Sequence, residues 1–243
     1  MKQVDLEILY NQKLTESVYK MCLGGDVSAI TNAGQFINLK IEGVYLRRPI
    51  SVFDLGENSV TIIYKVVGKG TEILSQMQKG EKLNVLTGLG NGYNLEVSGF
   101  NPVLVGGGVG VPPMYELAKR LIKQGKKVTV ILGFNKKEEI FCEEDFALLG
   151  AKVIVTMVDG SYGVKGFVTD AMKEIDYTYC YTCGPEPMLK AVFNSVKTSA
   201  QFSFEERMGC GFGACMGCSC KTIYGNKRIC KEGPVLVKEE ILW

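Results

Sequence analysis

Four cysteines near the C-terminal end follow the order C-x4-C-x2-C-x11-C, at Cys210, Cys215, Cys218 and Cys230, with Gly209, Gly211, Gly213, Gly217 and Gly225 among them. This is the spacing of a plant-type 2Fe-2S ferredoxin loop, whose chemistry is one-electron transfer. Thiolates four and then two residues apart wrap one compact cluster only if the backbone turns tightly around it, and glycine supplies the left-handed dihedrals. Zinc is the alternative that also takes four thiolates. Its structural sites more often use two C-x2-C knuckles or histidine, and this chain has no histidine. Cys220 follows Cys218 by two, so either can be the third ligand, and the x2 spacing from Cys215 favours Cys218.

Two glycine corners are candidates for nucleotide binding. After the apolar run Val103-Leu104-Val105 comes Gly106-Gly107-Gly108-Val109-Gly110, leading through Val111-Pro112-Pro113 into a helix. Backbone amides there can approach a pyrophosphate, and the helix N-terminus adds a favourable dipole. Proline replaces the third glycine of the usual dinucleotide fingerprint, which points to a variant of the ordinary dehydrogenase domain. The second corner is Thr182-Cys183-Gly184-Pro185. In a doubly wound sheet the carboxyl ends of the strands form the ligand crevice, so both corners are expected to face one cleft. Upstream, Arg47-Arg48-Pro49-Ile50-Ser51 offers guanidinium groups suited to phosphate, and Gly68-Lys69-Gly70-Thr71 opens a helix. Together they suit a flavin dinucleotide.

The elements that must position these groups change in character along the chain. Val4 to Tyr10, Gln35 to Ile41, Ile50 to Phe53, Ser59 to Val67 and Lys82 to Thr87 read as short strands of an antiparallel barrel, with one helix at Thr71 to Gln78. Beyond Asn101 strands and helices alternate, as in a parallel doubly wound sheet. Its first helix carries Met114, Leu117, Ala118 and Leu121 at i, i+3, i+4 and i+7. The expected domains are 1–99, a barrel; 100–203, an α/β unit; and 204–243, a small cysteine module.

The length of 243 residues suits that organisation. A net charge of +2 with mixed signs provides no basic stripe for nucleic acid and no polybasic tail for membranes. No run reaches the roughly 18 apolar residues of a membrane span, and the charged N-terminus does not resemble a secretory signal. Nine cysteines, an odd number concentrated in one segment, argue against a disulfide framework and for a cytoplasmic protein.

In order along nearly the whole chain, Arg48-Pro49-Ile50-Ser51, Gly70-Thr71, the Gly106 to Gly110 corner, Cys183-Gly184-Pro185 and Glu205 to Cys218 resemble the electron-transfer subunits of NAD-linked (class B) dihydroorotate dehydrogenases, within the ferredoxin reductase superfamily. The cysteine segment is the most specific part of the resemblance; the glycine corners are shared across the superfamily. The resemblance implies a ferredoxin reductase-like fold: an FAD-binding β-barrel, an NAD-binding domain and a 2Fe-2S module. It implies FAD contacts at Arg48, Pro49, Ile50, Ser51, Ile63, Tyr64, Lys65, Gly70 and Thr71. NAD contacts fall at Gly106, Gly107, Gly108, Gly110, Gly184 and Pro185, and cluster ligation at Cys210, Cys215, Cys218 and Cys230. Most ferredoxin reductases stack an aromatic residue on the flavin where this chain has Ile50.

It also implies an FMN-containing partner subunit that oxidises dihydroorotate to orotate in pyrimidine (UMP) synthesis, in a heterotetramer of two copies of each chain. This chain would then relay electrons to NAD. Cys183 is expected beside the nicotinamide, as a small packing thiol rather than a nucleophile. NAD rather than NADP follows from the family alone, because Gly133-Phe134-Asn135-Lys136-Lys137 carries no acid at the strand end. Gly211, Phe212, Gly213, Ala214 and Met216 are a candidate contact patch around the cluster, which the terminal Ile241-Leu242-Trp243 either joins or leaves by folding back. Alternatives are a subunit of another NAD(P)-linked iron-sulfur flavoprotein complex, of the ferredoxin:NADP oxidoreductase or sulfide dehydrogenase type, and a non-catalytic zinc-bearing module.

Overall fold

The computed structural model describes residues 1–243. Strands β1 (Lys2–Lys13), β2 (Val18–Gly24), β3 (Phe36–Lys40), β4 (Arg48–Leu55), β5 (Ser59–Lys65) and β6 (Lys82–Leu89) close an antiparallel barrel in the order β1-β2-β5-β4-β3-β6. Helix α1 (Lys69–Gln76) connects β5 to β6. Alternation along the strands sends Leu6, Ile8, Ile37, Leu39, Val60 and Ile62 into the barrel core. On β1 the outward-facing residues are largely exposed, whereas on β2 the outward-facing Cys22 is covered. That is why β2 is not recognisable as a strand from sequence. Its Met21, Cys22 and Leu23 are all buried, so the two-residue period disappears.

The second sheet has the order β10-β9-β8-β7-β11-β12-β15. Its parallel members are β7 (Pro102–Gly107), β8 (Thr129–Phe134), β9 (Lys152–Met157), β10 (Val164–Lys165), β11 (Tyr179–Cys183) and β12 (Ala200–Ser203). Helices α2 (Pro113–Lys123), α3 (Glu143–Leu148), α4 (Val168–Lys173) and α5 (Glu186–Ser195) connect them. Met114, Leu117, Ala118 and Leu121 of α2 are fully buried, as the sequence periodicity requires. After the hairpin β13 (Ser219–Thr222) and β14 (Gly225–Arg228), the chain returns as β15 (Val235–Val237), which pairs antiparallel with β12. The cysteine segment is thereby tied into the nucleotide-domain sheet. Strand β15 is three residues long and follows Pro234, which hides it from a pattern reading.

One apolar cluster spans the junction between barrel and sheet. It joins Val18, Phe53 and Ile63 to Val111, Met114, Leu117 and Tyr181. Phe53 stacks on Tyr115 with ring centroids 4.2 Å apart. Around this cluster Lys20 pairs with Asp145 at 2.9 Å, and the buried Glu116 accepts from Arg120 Nε at 2.7 Å and from the backbone N–H of Leu55 at 3.1 Å. Arg120 also donates to the carbonyl of Thr31 at 2.6 Å. This arrangement fixes the two units relative to each other. Glu116→Ala leaves the Leu55 N–H without its acceptor and is expected to cost about 1–3 kcal/mol in urea unfolding. A loss below a few tenths would show that the network does not join the units.

Candidate functional site

The two glycine corners meet. Strand β11 pairs with β7 so that Cys183 lies opposite Gly106. A Cβ placed on Gly110 would fall 2.3 Å from the carbonyl oxygen of Cys183 and 2.5 Å from the nitrogen of Gly184. A Cβ on Gly107 would strike Met188 Sδ at 2.4 Å. The backbones of the turns after β7 and β11 therefore touch, as expected of one crevice at the carboxyl ends of the strands. Two threonines nearby, Thr156 near the end of β9 and Thr182 near the end of β11, have buried hydroxyls with no hydrogen-bond partner. Unpaired buried hydroxyls are unfavourable alone and fit a polar ligand.

Cys183 is half-buried beside this corner. Burial pushes its thiol up to about 12, against a smaller opposing effect of a hydrogen bond with Ser203, and Glu205 reinforces the rise. It is a neutral thiol at physiological pH, suited to packing rather than attack.

On the barrel, the guanidinium of Arg48 lies against Gly70. A Cβ on Gly70 would be 2.6 Å from Arg48 Nε. Thr71 Oγ1 accepts from the N–H groups of Val67 at 2.9 Å and Gly68 at 3.3 Å, which closes the first turn of α1. The start of β4 and the N-terminus of α1 thus form one cradle for an anionic group. Pro49, Ile50 and Ser51 continue along β4, partly accessible. On β5 the side chains separate: Ile63 joins the cluster at the domain junction and Lys65 is exposed. The ring of Tyr64 turns into the barrel core, where its hydroxyl donates to Asn11 Oδ1 at 3.0 Å. Only the backbone of Tyr64 is left for a ligand on the outer face.

The four cysteines of the C-terminal segment form two pairs. The backbone N–H of Cys210 donates to Cys215 Sγ at 3.4 Å, and Cys210 Sγ accepts from the N–H groups of Ala214 at 3.2 Å and Cys215 at 3.4 Å. In the second pair the N–H of Cys230 donates to Cys218 Sγ at 3.4 Å, and both residues are buried. Burial opposes ionisation of Cys210, but hydrogen bonds from the backbone of Phe212, Cys215 and Ala214 outweigh it and bring the thiol down to about 6. Two pairs of thiols, with backbone N–H groups aimed at sulfur, match a centre in which each of two irons takes two cysteines. Gly211 and Gly213 adopt φ of +78° and +94° in this loop. Arg228 clamps it by donating to the carbonyl of Gly213 at 2.6 Å while paired with Glu232.

Cys220 is placed differently. It lies on β13, its Sγ donates to the carbonyl of Lys221 at 3.8 Å, and burial raises its pKa. Trp243 folds back onto the chain, with ring centroids 5.5 Å from Phe204 and 5.9 Å from Phe193. Phe212 and Met216 stay exposed on the cysteine loop. At the end of β8, Lys137 lies over the ring of Tyr162 at 5.8 Å.

Thr156, which sequence reasoning did not single out, had no motif of its own, and Thr182 entered only as the first residue of the second glycine corner. The only signal was a hydroxyl inside apolar strands at the crevice end. Asn38 on β3 is the third buried side chain with an unpartnered polar atom, and it sits under the cysteine loop.

Residues 205–242 match the family model described as the iron-sulfur cluster binding domain of dihydroorotate dehydrogenase B, and residues 104–194 match that of the oxidoreductase NAD-binding domain. The chain is 45% identical over 255 residues to the dihydroorotate dehydrogenase B (NAD(+)) electron transfer subunit of Bacillus pumilus (strain SAFR-032), covering 99% of this chain and 98% of that protein. It is 43% identical to the corresponding subunit of Fusobacterium nucleatum subsp. nucleatum, with 99% of each chain covered. Among solved structures it resembles the NADH-dependent reduced ferredoxin-NADP oxidoreductase studied for flavin-based electron bifurcation. There the TM-score is 0.89 at 30% identity, over 98% of this chain and 90% of that one. The full-length match at this identity, together with the matched cluster domain, decides between these likenesses: the chain belongs to the family of dihydroorotate dehydrogenase B (NAD(+)) electron transfer subunits.

Proposed function

We propose that this chain carries electrons from a dihydroorotate-oxidising catalytic subunit to NAD+, in pyrimidine synthesis, with the partner holding FMN and two copies of each chain forming the assembly. When bound, a 2Fe-2S centre supplies one-electron exchange and FAD converts between single electrons and the hydride that a nicotinamide requires. The observation that carries this reading is the two-by-two pairing of Cys210 with Cys215 and Cys218 with Cys230, seated against the barrel strand next to β4.

The remaining roles are assigned on the same reading. Arg48, Gly70 and Thr71 hold the flavin dinucleotide's phosphates, while Pro49, Ile50 and Ser51, with the backbone of Ile63, Tyr64 and Lys65, line its ring. Ile50 replaces aromatic stacking by apolar contact. Gly106, Gly107, Gly108 and Gly110 with Gly184 and Pro185 admit the dinucleotide to the crevice, and the neutral Cys183 packs beside the reacting ring. The joined barrel and sheet would hold the flavin and nicotinamide sites in fixed relation, which orientation-dependent hydride transfer needs. Phe212 and Met216 offer apolar contact to the partner next to the cluster. No helix is long and apolar enough to cross a membrane, and the thiolate ligands suit a reducing cytoplasm.

Co-expression with the catalytic subunit, followed by size-exclusion chromatography and assay of dihydroorotate-dependent NADH formation, tests this assignment. Activity should require both chains and travel with a complex. Full activity of the catalytic subunit alone with NAD+ would overturn it. Cys183→Ala is expected to retain FAD and slow flavin reduction by NADH roughly tenfold, less than the roughly hundredfold that a displacement near 1 Å costs, because alanine leaves the backbone of the corner in place. Because the Cys183 thiol is held near 12, the wild-type step should show no inflection from it between neutral and mildly alkaline pH. Loss of flavin from the variant, or an unchanged NADH rate, would count against that packing role.

A further inference from the structure

We propose that Asn38 is a positioning residue that couples the cluster loop to the flavin-bearing strand, a role that rests on the electron-relay reading above. Asn38 lies on β3 between Ile37 and Leu39, which point into the barrel core, and is itself turned outward beneath the C-terminal segment. On one side its strand neighbour is Pro49 of the Arg48 to Ser51 segment, and on the other Leu86 of β6. Its Nδ2 donates to the carbonyl of Cys210 at 3.4 Å. Gly211 packs so closely that a Cβ there would fall 2.3 Å from Nδ2. Arg47 fixes the same residue from below, donating to the Asn38 carbonyl at 3.3 Å and to Asn84 Oδ1 at 2.6 Å.

Asn38 is 1% exposed, yet its Oδ1 has no donor within the chain. A carboxamide in that setting is unfavourable as a purely structural bridge, because an apolar residue would fill the space without an orphaned acceptor. The one polar contact this carboxamide makes is to the cysteine loop, on a strand paired with the Arg48 to Ser51 segment. The Nδ2 hydrogen bond has two consequences. It holds Cys210 at a set distance from β4, and it places a donor near the cluster, favouring the more negatively charged reduced state.

The test uses the assembled complex carrying Asn38→Leu or Asn38→Ser. Iron, sulfide and FAD contents are measured first, then flavin reduction by NADH in stopped flow, then the rate and potential of cluster reduction by EPR-monitored titration. The expected result is unchanged cofactor content and flavin reduction, a lower cluster potential, and cluster reduction slowed by about tenfold or more, the scale of outer-shell losses at metal centres. Unaltered potential and cluster-reduction rate in a loaded variant would overturn the proposal, as would equal slowing of both steps. If Asn38→Leu fails to load, Asn38→Ser, which leaves room for water, decides alone. A wild-type complex lacking cluster or flavin would refute the relay itself rather than the role of Asn38.

Discussion

Cys218→Ser removes the EPR signal of the reduced protein and cuts electron delivery to NAD+ by more than about a hundredfold, the loss already reached by outer-shell substitutions at metal centres, whereas Cys220→Ser leaves both intact. The two residues are separated only by Ser219, yet their surroundings differ. Cys218 is 2% exposed and its sulfur accepts the Cys230 N–H. Cys220 lies on the β13 hairpin strand with its thiol directed to the carbonyl of its neighbour. Serine preserves size at each site, so the comparison isolates ligation from packing. Flavin reduction by NADH should persist in both variants, because it uses the barrel and the glycine crevice alone. An EPR signal surviving in Cys218→Ser and lost in Cys220→Ser would reverse the ligand assignment.

The second large effect is expected at Gly110. Its ideal Cβ position lies 2.3 Å from the carbonyl oxygen of Cys183 and 2.5 Å from the nitrogen of Gly184. Both are backbone atoms in the opposite corner, so no rotamer change relieves the clash and the corners must part. Gly110→Ala should therefore cost about 1–3 kcal/mol of stability, as overpacking usually does, and reduce the rate of flavin reduction by NADH roughly a hundredfold, because a displacement near 1 Å is enough for such a loss. FAD content should stay normal, since the Arg48 to Gly70 cradle lies elsewhere on the barrel. Gly108 provides the control. A Cβ there meets nothing within 4 Å, and only its φ of +51° resists substitution. Gly108→Asn, which tolerates that dihedral, should therefore keep the stability that Gly110→Ala loses, even where its side chain hinders the dinucleotide. Equal loss of stability at both positions would mean that the loop, rather than the contact between corners, is what the substitutions disturb.

What sequence made visible followed the strength of the local pattern. The α2 periodicity, the cysteine spacing and both glycine corners were legible because each requires particular residue types at fixed separations. Strand β2 was not legible, since neighbours cover both of its faces and erase the alternation. Strand β15 was too short, and its place at the sheet edge depends on a return of the chain that no local signal announces. The tie from β12 to β15 connects the cysteine segment to the nucleotide-domain sheet, an arrangement invisible to a linear division into modules. At the site, Tyr64 shows the limit of carrying a motif across: its position on β5 follows the pattern, but its ring belongs to the barrel core. Asn38, Thr156 and the unpartnered hydroxyl of Thr182 became visible only through burial without a hydrogen-bond partner, which is a property of the folded chain.

The most direct test of the relay is an absorption and low-temperature EPR spectrum of anaerobically purified protein, before and after NADH, with iron, sulfide, zinc and flavin assayed on the same sample. Bound FAD, iron and sulfide in equal amounts, and an EPR signal that appears on reduction by NADH are the result expected from paired thiols beside a flavin strand. Zinc in place of iron, or a protein without flavin, would contradict the account.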